Sequence, residues 1–270
     1  MEKQKKRLSR KLILALLAIT TPIIYASQSL GASSSLSDTT ASWFNSTEWS
    51  PFIAFGGGSI YTSDVGADQT FKINNPVVDE LYQYTPTSSA ESRGLFDAFL
   101  GVEWNLSPRF ALQTGLDYGK TGEFDVKGTF TQGADPHSTD TYGYTYKFDS
   151  NQLFAEGKLL FRMGRFRPYI TAGLGGAVNE AEEYHATTPL FLTFTRNYDD
   201  HNTTAFAYNV GGGIDFDIDS HVRVGIGDRF TSFGKVILGD ASIDGTSVPG
   251  TLSQNNFYSN EVFGQLTFIL

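Results

Sequence analysis

The chain has 270 residues and no cysteine, and its 20 Lys and Arg residues against 29 Asp and Glu residues give a formal net charge of −9. The lack of cysteine excludes disulfide bonds, cysteine-ligated zinc, iron–sulfur clusters and a lipid anchor on an amino-terminal cysteine. The acidic balance argues against a nucleic-acid partner, because a nucleic-acid binder would have a basic surface. Aromatic residues make up 14% of the chain and glycine is abundant, which favours β structure and argues against disorder.

Residues 1–31 have the composition of a secretory signal peptide. A strongly basic start is followed by an apolar run over Leu12–Ile24 and then by small residues. The apolar run is too short to cross a hydrocarbon core about 30 Å thick as a helix. We therefore predict a signal peptide over residues 1–31, with cleavage after Ala26 or Ala32 as alternatives, and a flexible leader rich in Ser and Thr over residues 32–48.

After the leader, apolar and polar residues alternate, which places successive side chains on opposite faces of β-strands. The clearest example is a hairpin over residues 96–118, whose turn sequence at Asn105–Arg109 contains Asn, Ser and Pro. The eight predicted strands cover approximately residues 52–61, 96–104, 110–118, 152–161, 168–175, 206–216, 222–230 and 260–270.

The predicted connections alternate between short and long. The short links lie near residues 105–109, 162–167 and 217–221, and the long ones near residues 62–93, 119–147, 179–203 and 233–257. Short periplasmic turns, long external loops and an even strand number are typical of membrane β-barrels. Residues 49–270 are therefore predicted to form an all-β fold, a closed antiparallel eight-stranded transmembrane β-barrel with long extracellular loops. A hairpin of Glu123–Phe130 with Tyr142–Phe148 would raise the number of strands to ten.

The polar face of each strand would point into the barrel, where eight strands leave room only for side chains. Because unpaired charges would be costly there, we expect basic residues to pair with carboxylates across the lumen. The predicted lumen network consists of Asp97, Gln113, Asp117, Glu156, Lys158, Asp215, Arg223 and Arg229. Asp228 falls on the apolar face of its strand, so it either lies above the hydrocarbon or marks a shift of register.

The last strand carries apolar or small residues at every second position: Val262, Gly264, Leu266, Phe268 and Leu270. This pattern resembles the assembly signal of outer-membrane barrels, with Leu270 in place of the usual Phe or Trp. Further resemblance lies in residues 49–58, 167–176 and 225–234. The chain resembles small outer-membrane barrels of the outer-membrane protein A transmembrane-domain and opacity type, and porin-like surface proteins of gammaproteobacteria. The resemblance implies a Gram-negative outer-membrane location, contact with lipid and lipopolysaccharide, and assembly by the barrel-assembly machinery.

Candidate catalytic or metal-binding groups are few. The four histidines, none of which forms a close ligand pair, are His137, His185, His201 and His221. The pair His137-Ser138 could belong to a lipid-modifying hydrolase, but no motif surrounds it. We therefore predict no catalytic residue, no metal, no cofactor and no enzyme activity.

One group of acidic residues is predicted to lie in an external loop. Its members are Glu180, Glu182, Glu183, Asp199 and Asp200. They would form a solvated surface, or else a site for a partner or for divalent cations that bridge to lipopolysaccharide phosphates.

Two functions remain open at this point, with an enzyme as the third. The first is a monomeric structural or narrow porin-like surface protein that passes small solutes or ions. The second is an adhesin or host-contact protein that binds a host or surface ligand through its loops.

Overall fold

The computed structural model describes residues 48–62, 65–74, 79–87, 91–133, 140–189 and 195–270. The predicted signal peptide and nearly all of the predicted leader lie outside these residues. No helix among the described residues is long and apolar enough to cross a membrane. The described strands are β1 Trp49–Thr62, β2 Gln69–Asn74, β3 Asp79–Pro86, β4 Glu91–Asn105, β5 Phe110–Thr121, β6 Phe124–Gly133, β7 Asp140–Phe161, β8 Phe166–Thr187, β9 Arg196–Tyr198, β10 His201–Asp217, β11 Val222–Ile237, β12 Ala241–Ile243, β13 Thr246–Val248 and β14 Ser253–Ile269.

Eight of these strands form a hydrogen-bonded antiparallel ring, in the order β7, β5, β4, β1, β14, β11, β10 and β8, and β8 pairs back with β7. The register can be followed around the ring from each residue to its partner on the next strand. Starting at Trp104 on β4, this path passes through every strand and returns to β4 at Gly94, ten residues away from its start. This stagger inclines the strands to the axis of the ring. The prediction of an all-β fold with eight antiparallel strands is confirmed.

Exposure alternates along the ring strands as the sequence predicts. On β4, Phe96 is 49% exposed and Leu100 is 41% exposed, whereas Asp97 and Phe99 are buried. The outward side chains form an apolar belt around the ring, which includes Phe55, Phe96, Leu100, Phe110, Phe161, Ile170, Leu174, Val210, Ile214, Val224, Ile226, Val262 and Leu266. Most polar side chains of the same strands point inward, whereas Asp228 on β11 is exposed on the outward face.

The three predicted short links lie together at one end of the ring, here called the turn end. Aromatic residues border this end: the rings of Phe110 and Phe161 lie 5.2 Å apart, as do those of Phe166 and Phe216. Such pairs match the aromatic girdle expected where a barrel meets the interface between lipid and water.

The segments predicted as long loops are largely strands, so this part of the prediction is wrong. β7 and β8 each have 22 residues and continue past the belt into what is here called the extended end. There β6, β3 and β2 pair in succession beside β7, and β9, β12 and β13 form a second sheet. The hairpin of residues 123–130 with 142–148 does form, as β6 with β7. It lies above the ring and does not enlarge it.

Gly101 on β4 and Gly115 on β5 face each other with no room for a side chain. A Cβ at Gly101 would lie 2.1 Å from the carbonyl oxygen of Thr114, and a Cβ at Gly115 would lie 2.0 Å from that of Leu100. Backbone atoms cannot move aside by changing rotamer, so we expect Gly101→Val to disrupt the pairing of β4 with β5. The measurement is the fraction of protein that refolds in detergent.

Gly157→Val is the matched control, because a Cβ at Gly157 would meet no atom within 4 Å. Equal refolding of the two variants would contradict the close contact between β4 and β5.

Candidate functional site: a filled ring and a cored outer layer

Charged side chains cross the inside of the ring near its turn end. Arg223 is fully buried, with Nη1 3.0 Å from Oε2 of Glu103 and Nε 2.9 Å from Oδ1 of Asp217. Arg167 Nε lies 2.6 Å from the other oxygen of Asp217, and Gln113 Nε2 donates to Glu103 over 2.8 Å. These residues come from five different strands, so their contacts tie opposite walls of the ring together.

A lysine forms the next layer of contacts. Lys158 on β7 is buried, and its Nζ lies 2.8 Å from Oδ2 of Asp215 on β10. The same ammonium donates to Oε1 of Gln265 on β14 over 2.9 Å and lies 3.8 Å from the centre of the Tyr169 ring. One cation therefore has contacts with three other strands of the ring.

A second buried guanidinium forms the layer nearest the extended end. Arg229 Nε lies 2.7 Å from Oε2 of Glu261, and Nη1 lies 2.8 Å from Oδ2 of Asp117. Oε2 of Glu156 lies 4.0 Å from Nη1, while Oε1 of Glu156 accepts a hydrogen bond from Thr171. These three layers are together called the interior network.

Little space is left between these side chains. The cavity among them has a volume of about 10 Å³, room for about one water molecule. Asp97 lines this cavity, and its buried Oδ1 has no hydrogen-bond partner among the residues that the structure describes. At this level the ring is therefore filled by side chains.

All eight residues of the predicted lumen network are buried inside the ring. Lys158 meets Asp215, Arg229 meets Asp117 and Glu156, and Arg223 is linked to Gln113 through Glu103, whereas Asp97 has no ion pair among the described residues. Sequence reasoning did not assign Glu261, Arg167 and Tyr169 to this network. The signal for Glu261 was present, because it alternates with the outward Val262.

Above the interior network, an apolar core fills the extended end. Phe257 is fully buried, and its ring lies 4.7 Å from that of Phe148, 5.2 Å from that of Phe233 and 5.4 Å from that of Phe124. This upper core also contains Ile60, Val65, Tyr82, Tyr84, Val126, Phe130, Tyr144, Tyr146, Phe154, Ala177, Ala181, Tyr184, Tyr198, Ala207, Val236, Leu238, Ala241 and Leu252. The extended end is thus a packed layer that covers the ring.

Arg196 is buried beside the upper core and joins the two sheets of the extended end. Its guanidinium lies 4.5 Å from the centre of the Phe71 ring and 5.6 Å from that of Tyr198, and Nη2 donates to the carbonyl oxygen of Pro249 over 2.7 Å. No carboxylate forms an ion pair with Arg196 among the described residues. Cation–π contacts therefore hold β9 against β2.

Burial also affects the tyrosine hydroxyls of the extended end. It raises the pKa of Tyr84, Tyr184 and Tyr198 well above the ordinary value, and it raises the pKa of Tyr144 to about 12. An unfolded tyrosine ionises near pH 10, so above about pH 10 only the unfolded state loses these protons. The contribution of these protonated tyrosines to the free energy of unfolding is therefore fully present below about pH 10 and is lost as the pH rises further.

We expect the extended end to open at alkaline pH before the ring does. Tyrosinate absorbance and circular dichroism, followed together during a pH titration, test this. These tyrosines should ionise only as the extended end opens; ionisation near pH 10 with the layer intact would contradict their burial.

Three of the four histidines lie among the described residues. His137 lies outside the described residues, His185 and His201 lie on β8 and β10, and His221 lies in a short turn. Within the described ranges, no three His, Asp or Glu side chains are placed to hold a metal ion.

The predicted acidic group lies on and beside β8, where a lysine and a backbone amide contact it. Glu183 lies 2.8 Å from Lys147 Nζ, and its amide donates to Asp200 over 3.0 Å. One member of the group is therefore paired with a basic residue of β7.

Asp228 is exposed on the outward face of β11, opposite Gly212 on β10 and Val262 on β14. The register of β11 is continuous through this position, and its first irregularity comes later, between Ser232 and Gly234. The alternative of a register shift at Asp228 is therefore wrong.

No family model and no curated protein matches the chain. Among solved structures, the outer membrane protein OprG of Pseudomonas aeruginosa is 13% identical over 81% of this chain and 96% of its own, with a TM-score of 0.48. The outer membrane protease OmpT of Escherichia coli is 8% identical over 82% and 96%, with a TM-score of 0.42. The attachment invasion locus protein of Yersinia pestis is 9% identical over 82% and 98%, with a TM-score of 0.33.

The chain resembles small outer-membrane β-barrel proteins. The resemblance stated from the sequence is therefore confirmed. The names of these proteins cover different roles, so this similarity concerns the fold alone.

Proposed function

We propose that the chain is an outer-membrane β-barrel that does not conduct, with its extended end exposed outside the cell as a surface for binding an external ligand. The observation that carries this proposal is the filling of the ring by the interior network and its covering by the upper core. Of the two functions that the sequence leaves open, this favours the contact protein over the narrow pore.

The apolar belt supports the membrane location. Outward residues from Val222 to Phe230 on β11 cover about 20 Å of height, since a strand rises about 3.3 Å per residue and tilts by about 40° in such barrels. This is close to the apolar band of about 25 Å on known barrels. A ring in which every strand has two neighbours also satisfies the backbone hydrogen bonds that lipid cannot satisfy. Short turns would then face the periplasm and the extended end the exterior.

Passage of ions would require the interior network to open. Arg223, Lys158 and Arg229 each pair with a carboxylate on a strand of the ring that is not their neighbour. Leaving one partner of such a buried pair alone costs about 3–5 kcal/mol. The upper core would also have to move aside. A ring whose interior is closed in this way is better suited to anchoring the protein in a membrane than to conducting ions.

The extended end has features of a binding surface. It is built from paired strands around a core, so little ordering entropy would be lost when a ligand binds. A shallow depression of about 470 Å³ opens there, lined by Asp240, Ser247, Pro249, Gly250 and Thr251. The hairpin of β12 and β13 borders it, and its turn at Asp244-Gly245 has two positive φ angles, the conformation of a tight two-residue hairpin turn.

In planar bilayers, we expect the purified protein to give no stable channel steps under conditions in which a known porin conducts. Channels whose ion selectivity changes with Glu156→Gln would contradict the proposal and support a pore through the interior network.

Attachment of expressing cells to host cells or matrix tests the contact surface. Replacement of Ser242–Ser247 by a two-residue turn should reduce attachment, while Asp219→Ala in a short turn at the opposite end should not. Equal attachment by both variants, with normal surface levels, would contradict a contact role for this hairpin.

A further inference from the structure

Arginines are concentrated on two neighbouring turns at the turn end of the ring. Arg109 lies in the turn between β4 and β5, and Arg162 and Arg165 lie in the turn between β7 and β8. Because β5 pairs with β7, the two turns are adjacent, and the amide of Arg162 donates to the carbonyl oxygen of Arg109 over 2.8 Å. Adjoining turns therefore carry three basic residues in a chain whose net charge is −9.

Two of these arginines have no carboxylate partner. Arg109 and Arg165 are exposed, and neither guanidinium group forms an ion pair or a hydrogen bond among the residues that the structure describes. Arg162 is partly buried, with Nη2 3.7 Å from Oε1 of Glu103 and with a buried Nε that has no described partner. All three side chains therefore retain hydrogen-bond donors for an anion.

The nearby carboxylates of the turn end are engaged elsewhere. Both oxygens of Asp217 contact arginines inside the ring, and Glu103 contacts the buried Arg223. Oδ1 of Asp219 accepts hydrogen bonds from two backbone amides of its own turn, over 2.7 and 2.8 Å. These contacts leave the positive charge of the two exposed arginines without a counter-charge from this set.

Exposed apolar side chains accompany the arginines on the same turns. Leu106 in the first turn is 54% exposed, and Met163 in the second is 57% exposed. Two of the arginines directly adjoin the exposed rings of Phe110 and Phe161 in the sequence, which belong to the aromatic border of the ring. Arginines just beyond an aromatic border, beside exposed apolar residues, fit the layer in which lipid headgroups lie. A soluble anion would need no apolar contacts.

We propose that Arg109, Arg162 and Arg165 form a binding site, here called the arginine site, for the phosphate of an anionic phospholipid in the membrane leaflet on the side of the short turns. Guanidinium groups bind phosphate oxygens through paired hydrogen bonds, and each basic side chain near an anionic membrane surface adds to the attraction. Leu106 and Met163 supply the apolar contacts with the acyl chains. The inference rests on the proposed membrane location, and it adds a defined lipid to the proposed anchor.

A label inside the arginine site tests this directly. Because the chain has no cysteine, Met163→Cys allows one fluorophore to be attached there. The protein is reconstituted in phosphatidylcholine vesicles with a trace of nitroxide-labelled lipid, either phosphatidylglycerol, which is anionic, or phosphatidylcholine, which has no net charge. We expect the anionic lipid to be preferred about fivefold in quenching at low salt, and the preference to fall as salt screens the charges.

Two double variants of the labelled protein identify the residues responsible. Arg109→Gln with Arg165→Gln should abolish most of the preference, and these exposed side chains have no contacts that folding requires. Lys120→Gln with Lys127→Gln is the matched control, because it removes the same charge from exposed side chains away from the turn end. The control should keep the preference. An equal loss in both double variants would overturn the arginine site, since the net charge alone would then attract the lipid.

The outcomes separate the two proposals. A chain that is found in the periplasm without detergent would overturn the membrane location itself. A folded, membrane-inserted chain that both labelled lipids quench equally would overturn only the arginine site. A preference that survives Arg109→Gln with Arg165→Gln would also overturn this site, because the anionic lipid would then be bound by other residues.

Discussion

Arg229→Met is expected to destabilise the folded ring by about 3–5 kcal/mol. The substitution removes the guanidinium that lies 2.7 Å from Glu261 and 2.8 Å from Asp117, and both carboxylates would remain buried. An uncompensated buried charge costs far more than the pair contributes, because no water can replace the lost partner. Urea unfolding of the protein reconstituted in lipid vesicles measures the loss.

A compensated variant makes this prediction specific. Arg229→Met together with Asp117→Leu, Glu261→Leu and Glu156→Gln removes the guanidinium and the three carboxylate charges within 4.0 Å of it, so most of the stability should return. Arg93→Met is the control, because Arg93 pairs with Asp125 at the partly exposed extended end, where a pair contributes about 0–1 kcal/mol. A loss below about 1 kcal/mol for Arg229→Met alone would show that the interior network is hydrated, contrary to a filled ring.

Phe257→Ala is expected to destabilise the extended end by about 3–5 kcal/mol. Its fully buried ring contacts those of Phe124, Phe148 and Phe233, so truncation leaves a cavity in the upper core. Hydrogen exchange should rise in β6 and in the upper part of β7, while the belt stays protected.

Tyr258→Ala provides the matched control one residue away. Tyr258 points outward and is 43% exposed, so its truncation removes little buried surface. If both variants changed protection equally, or if Phe257→Ala changed none, the extended end would not be a packed layer.

The ring could be predicted from the sequence because its chemistry is local. Alternation along Phe96–Trp104 assigns each side chain to one face, and burial agrees with that assignment. The partners of each charge could not be predicted, since Arg223 meets Glu103 only after the strands have taken their register around the ring. Glu261 is different: its inward position followed from the alternation with Val262, although it was not assigned to the network.

The extended end was less predictable for a physical reason. Its strands lack the alternation that lipid imposes on the ring, so the sequence offered only a hairpin of Glu123–Phe130 with Tyr142–Phe148, and β2, β3 and β9 were predicted as loop. Their pairing depends on aromatic contacts between distant segments, such as the 6.0 Å distance between the rings of Tyr84 and Tyr198. Arg196 likewise acquires its place only when Phe71 and Pro249 come together.

Asp228 shows how one residue can break a pattern without breaking the fold. The sequence allowed two explanations, and the continuous register of β11 excludes one of them. The other explanation, that the carboxylate lies above the hydrocarbon, stays a prediction.

Electrophoresis of outer-membrane fractions, with and without heating, measures the closed barrel most directly. The account predicts that unheated protein stays compact in detergent and migrates faster than the heated, unfolded chain. Identical mobility of both samples, for a protein that washes off membranes without detergent, would contradict it.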